Sequence, residues 1–109
     1  MSSPIPVLSS ILPLLAKLQF SEAIALTQQL TAIPSAFPPG NTHATADAVI
    51  ASIADVPAIS VEKYVTLDHV ANVVLRLKGH QPGRRLVFNG HMDTFPIMGA
   101  SQWTTNPDG

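Results

Sequence analysis

Residues 83–96 read GRRLVFNGHMDTFP. Leu86, Val87 and Phe88 form a short apolar run, the pattern of a strand buried on both faces. The chain leaves that run through Asn89 and Gly90 and delivers His91, one spacer and Asp93 into a loop. Gly90 permits a sharp backbone turn just before the histidine. Ligands of open α/β sheets bind beyond the carboxyl ends of strands, so His91 stands where a site is expected. A neutral imidazole is a good zinc ligand, and a nearby carboxylate can accept the other ring N–H and fix the tautomer. Taken alone, H-x-D is a weak signal, and those three residues read first as a loop histidine paired with an aspartate.

Two further strand patterns lie upstream. Val61, Tyr64, Val65 and Leu67 suit one, and Val73, Val74, Leu75 and Leu77 suit the other. Asp68 to Ala71 turns between them and makes an antiparallel hairpin, and Gly79 to Gly83 forms the next turn. Helical patterns precede the hairpin. Ile11, Leu14, Leu15 and Leu18 share one helix face, with Ser10 as cap and Pro13 in the first turn. A second helix follows Ser21 as N-cap, with Glu22 behind it, Ile24 and Leu30 as its main apolar residues and Pro34 as its stop. IPSAFPPGNT, residues 33–42, is a loop by composition. Asn41 or Thr42 caps a third helix whose apolar face is Ala46, Val49, Ile50 and Ile53. Three helices and then three strands predict an α/β or α+β layer arrangement.

Composition narrows the function. The 109 residues suit one domain with a modest core of its own. Six basic against seven acidic residues give a net charge of -1, which excludes the basic face of an electrostatic nucleic-acid binder. The 46% apolar share argues against a disordered tail. Without cysteine there is no disulfide framework and no thiolate metal site. Ten prolines, nearly twice the usual share of roughly 5%, fall mainly at segment borders. No apolar segment reaches the roughly 18 residues of a membrane span. The apolar stretch from Ile5 to Leu18 has no positive flank and no clear cleavage site, so it reads as a helix of the mature protein in preference to a signal peptide. The expected location is the cytoplasm.

Three pieces of the chain, in this order, resemble the zinc metallohydrolases that include acetylornithine deacetylase, succinyl-diaminopimelate desuccinylase and related carboxypeptidases. IPSAFPPGNT resembles their loop after the first long helix. NVVLRLKG, residues 72–79, resembles the strand before the metal strand. LVFNGHMDTFP, residues 86–96, resembles the first metal motif, and Trp103 falls where the family often has a tryptophan. The resemblance covers roughly residues 20 to 109. It implies a three-layer α/β/α aminopeptidase-like catalytic domain, of which residues 1–109 are the N-terminal portion, with no second domain. It implies zinc as cofactor, two ions in the complete site with cobalt as the alternative metal. His91 is then the first metal ligand and Asp93 the catalytic carboxylate that orients it. The implied reaction is hydrolysis of an amide bond in a peptide or N-acyl amino acid, by a metallopeptidase or deacetylase that forms a homodimer in full-length form.

The chain departs from that pattern after Trp103. The family's bridging aspartate, glutamate base and later ligands have no counterpart. Asp108 does not match the bridging position, and Glu22 and Glu62 do not fit the base. The competing expectation is therefore a truncated, non-catalytic fragment or a small binding module. His43, His69 and His80 read as solvated residues of loops and helix starts. Arg84 and Arg85 read as a solvated strand start, although they could face an anion. Met92, Phe95, Ile97 and Met98 read as packing around the motif, or as the wall of a dry site.

Overall fold

The alternating run from Ile59 to Leu77 folds as an antiparallel hairpin, and this hairpin organises what surrounds it. Strand β1 spans Ile59–Leu67 and β2 spans Val70–Leu77. In register, Val61 faces Leu75, Lys63 faces Val73 and Tyr64 faces Asn72, with an irregularity between Val65 and Leu67. Only Asp68 and His69 lie in the turn, so β2 begins earlier than the sequence pattern placed it. Pairing continues as far as both backbones have partners, and an apolar pattern alone does not mark that end.

A computed structural model describes residues 7–107, with side chains from Ser10 onward. The expectations placed on Ile5 and Asp108 lie outside the described residues. Helix α1 spans Val7–Leu15, α2 Phe20–Thr31 and α3 His43–Ser52. The order is three helices and a two-stranded sheet, a small α/β arrangement. α1 starts before Ser10, so Ser10 does not cap it, and Pro13 lies inside the helix, where it cannot donate a helical hydrogen bond. α2 starts one residue before Ser21, with Gln19 as N-cap and Glu22 in its first turn. It ends before Pro34, as expected.

α3 packs on β2, and α2 on α3. Ala46 is fully buried, and Val49, Ile50 and Ile53 are half-buried, as the helical pattern requires. Lys63 reaches across to Asp47 on α3 at 2.6 Å. Alternation places Val61, Lys63, Val65, Ala71, Val73 and Leu75 on the α3 side of the sheet. Glu62, Tyr64 and Arg76 lie on the other side, where the Glu62 carboxylate accepts from both the Tyr64 hydroxyl and the Arg76 guanidinium. These bonds, the one from Arg76 first, hold the Glu62 carboxyl below its ordinary range.

The third strand does not form. Residues 86–88 carry no regular structure, and Leu86, Val87 and Phe88 are 78%, 73% and 88% exposed. The expectation of a buried, metal-bearing strand is corrected here. A strand needs a neighbour for its backbone donors and acceptors, and among the described residues the sheet has only β1 and β2. The expected core is corrected as well. Ala46 and Ala71 are the buried apolar residues among those described, and no large side chain is fully enclosed.

Candidate functional site

The site grows from the N-terminus of α3. Thr42 precedes that helix as its N-cap, yet its hydroxyl does not cap it. The Oγ1 instead donates to the Ala71 carbonyl and accepts from the Ala71 amide, both at 2.9 Å. The Thr42 amide donates to the His69 carbonyl at 3.1 Å. Asn41 takes part of the capping role, its Oδ1 accepting from the His43 amide. The His43 Nε2 donates to the Asp68 carbonyl at 2.8 Å. Helix start and hairpin turn are therefore fastened to one another at several points. Thr42 and Ala71 are both buried at this joint.

The loop before Thr42 holds the histidine motif. Ser35, 4% exposed, donates its hydroxyl to the Met92 carbonyl at 2.8 Å. The Thr94 amide donates to the Ser35 carbonyl at 3.2 Å, and the Phe37 amide to the Thr94 carbonyl at 2.9 Å. These bonds form an isolated parallel bridge between Ala36 and Thr94. Gly40 completes the support. Its φ of 72° lies in the left-handed region, and a Cβ there would stand 3.2 Å from the Phe37 ring and 3.7 Å from the Asp93 Cβ. Glycine is needed for the turn and for the close approach.

His91 and Asp93 lie next to one another in the structure. The His91 Nδ1 lies 2.7 Å from the Asp93 carbonyl oxygen and 3.2 Å from its carboxylate Oδ1. A carbonyl only accepts, so the neutral ring carries its proton on Nδ1 and keeps the Nε2 lone pair free. The His91 side chain is 83% exposed and that of Asp93 43%. Both line an open cleft of about 560 Å³, together with Phe37, Asn72, Met92 and His69. His69, read from sequence as a solvated turn residue, thus shares a cleft with His91. No sequence signal marks this, because the cleft joins the hairpin turn and the His91 segment, which are held together through the Thr42 joint and the Ser35–Thr94 bonds of a third segment. Ser35 and Gly40 went unrecognised as supports for the same reason, although glycine after two prolines does signal a tight turn.

Among the described residues, no cluster of three His, Asp or Glu side chains is placed to hold a metal ion. Glu22 lies on α2 and Glu62 on the outer face of the hairpin, away from the cleft, as expected. Phe95, Ile97 and Met98 are exposed, so the reading of these three as packing is corrected, whereas Met92 is half-buried in the cleft wall. The Trp103 Nε1 donates to the Met98 carbonyl at 3.4 Å. No helix among the described residues is long and apolar enough to cross a membrane.

No family model matches the chain, and no solved structure does so with significance. Among curated proteins it is similar to N-formyl-4-amino-5-aminomethyl-2-methylpyrimidine deformylase of Halalkalibacterium halodurans, with 33% identity over 88 residues. The match takes in 79% of this chain, which spans about a fifth (21%) of the length of that relative.

Proposed function

We propose that residues 1–109 form the N-terminal portion of the catalytic domain of a metal-dependent amide hydrolase acting on an N-acyl compound. The observation that carries the reading is the His91–Asp93 pair, whose Nδ1 contacts leave the Nε2 lone pair available at an open cleft. The relative supports the substrate class, since its name is that of a deformylase, a hydrolase of an N-acyl compound. An N-acyl amino acid or a peptide has the same scissile amide. The complete domain is then the three-layer α/β/α type, with Leu86–Phe88 as one of its strands, in a cytoplasmic and homodimeric enzyme.

The donor set fits one ligand of a zinc centre. His91 offers an imidazole whose Nδ1 faces oxygen acceptors, as zinc-bound histidines usually have. A closed or catalytic zinc site takes three or four protein ligands. The others are proposed to come from residues outside this chain. A bound zinc pair, or cobalt in its place, would polarise the amide carbonyl and acidify a water. The role of Asp93 is to hold the imidazole in the correct tautomer and to stabilise positive charge gathering on it. The cleft wall of Phe37 and Met92 supplies apolar contact for the acyl compound.

The test uses a polypeptide that carries this chain within a complete hydrolase. His91→Ala is expected to abolish zinc-stimulated hydrolysis of an N-formyl or N-acetyl substrate. Asp93→Asn is expected to lower metal affinity or activity by roughly 10–100-fold. Full activity in His91→Ala would overturn the metal role. The second reading, a non-catalytic fragment or binding module, is favoured by the lack of a three-ligand cluster among the described residues. Zinc-stimulated turnover by the 109-residue chain on its own would remove it.

A further inference from the structure

We propose that Ser35 is a positioning residue that sets the tautomer and aim of the His91 imidazole, an inference that rests on the reading of His91 as a metal ligand. Ser35 touches neither ring nor carboxylate. It acts through the backbone between them. Its buried hydroxyl donates to the Met92 carbonyl, the peptide oxygen midway along the H-x-D motif, at 2.8 Å. Its own carbonyl accepts from the Thr94 amide at 3.2 Å. One residue therefore grips the chain on both sides of Asp93. The Thr94 carbonyl is fixed by the Phe37 amide, and Gly40 lies close to Asp93, where an added Cβ would stand 3.7 Å from the Asp93 Cβ.

This arrangement has a chemical consequence at His91. The shorter of its two Nδ1 contacts is to the backbone carbonyl of Asp93, at 2.7 Å, and not to the carboxylate. The Ser35 carbonyl holds the peptide unit of that carbonyl through the Thr94 amide, and the Ser35 hydroxyl holds the preceding unit, which sets the aim of His91 relative to it. Removing the hydroxyl frees the Met92 peptide while leaving the Ala36–Thr94 bridge and the Thr42 joint in place. The loop then stays attached and the Asp93–Thr94 peptide stays held by the Ser35 carbonyl, but the Met92–Asp93 peptide that links His91 to the Asp93 carbonyl loses its fixed direction, and the ring and its acceptor lose their fixed relation. Free histidine populates both neutral tautomers, so the bias towards Nδ1–H falls when its acceptor wanders. A tautomer with the proton on Nε2 has no lone pair there for a metal.

The experiment is two-dimensional nitrogen-15 NMR of the imidazoles in the full chain, at a pH where His91 is neutral. The wild type is expected in the Nδ1–H form and Ser35→Ala in a mixture of forms, with Ser35→Thr restoring the wild-type pattern because it keeps the donor. Should alanine at this buried position unfold the chain, Ser35→Cys, near in size and a far weaker donor, reads the same change. Thr42→Val disturbs the α3–β2 joint without touching the motif and is expected to leave the His91 tautomer alone. In a polypeptide that carries this chain within a complete hydrolase, zinc added by itself and followed at the His91 resonances should bind the Ser35→Ala form roughly tenfold more weakly. An Nε2–H wild type, or a Ser35→Ala protein with the wild-type tautomer, would overturn the proposal. The absence of any zinc response at His91 in the complete hydrolase would sink the metal reading instead, and the metal-free tautomer result would still decide the role of Ser35.

Discussion

Thr42 illustrates how much one side chain decides in this molecule. Its hydroxyl donates and accepts with the same buried residue, so both backbone groups of Ala71 find their partner in it. Thr42→Val keeps the shape and removes both bonds, leaving a buried amide and a buried carbonyl unpaired. The expected loss is about 1–3 kcal/mol in urea unfolding monitored by circular dichroism, whereas Thr42→Ser should stay close to wild type. A valine variant as stable as wild type would show that water reaches this joint. At this scale the sequence disclosed the chemistry but not the supports. His91 and Asp93 are legible because H-x-D after an apolar run is a local pattern. Ser35 and His69 are not, because their neighbours lie far along the chain.

Among the elements, the hairpin is the best legible. Its alternation of apolar and polar residues depends on β1 and β2 alone, and the two-residue turn closes it locally. On its outer face Arg76 and Tyr64 hold the Glu62 carboxyl below its ordinary range. A carboxyl depressed in the folded state stabilises above its unfolded pKa, and this contribution is lost as pH falls through the folded pKa. The hairpin is therefore expected to weaken on acidification, and Glu62→Gln should flatten that dependence in a thermal melt followed between pH 7 and pH 3. The group is exposed, so the effect is small and salt-sensitive. An identical acid profile in Glu62→Gln would remove the ion pair from the account. Helix boundaries were read less well. Serine near an apolar run suggested the caps of α1 and α2, yet both helices start before it. The run 86–88 was misread because whether such a run becomes a strand depends on a neighbour, and the run itself carries no information about one.

The whole molecule is open. A closed monomer of 11.6 kDa exposes roughly 5,800 Å², and this chain exposes 9633 Å². Its radius of gyration is 18.1 Å, against about 13 Å for a typical domain of its length. Leu77, Leu86, Val87, Phe88 and Phe95 stand in solvent, and among the described residues neither strand has a further strand on its outer edge. Such surface drives association. The purified chain is expected to form larger species as its concentration rises, read by sedimentation velocity, and Phe88→Lys should reduce them. A monomer at all concentrations with a sharp thermal transition would contradict this.

The Ala36–Thr94 bridge also bears on how the molecule assembles in time. Ser35 and Met92 are 57 residues apart, whereas the hairpin closes through two turn residues. Bringing such distant segments together costs roughly 3.5 kcal/mol of chain entropy beyond a constant common to all loops. The three hydrogen bonds of the clamp return about 1.5–4.5 kcal/mol net. The bonds do little more than offset that cost, so the clamp is expected to open more readily than the hairpin, read as faster amide exchange at Phe37 and Thr94 than in β1 and β2. A ligand that binds only the closed clamp adds its own binding free energy to that narrow margin. Occupancy of the cleft and completion of folding are then one equilibrium.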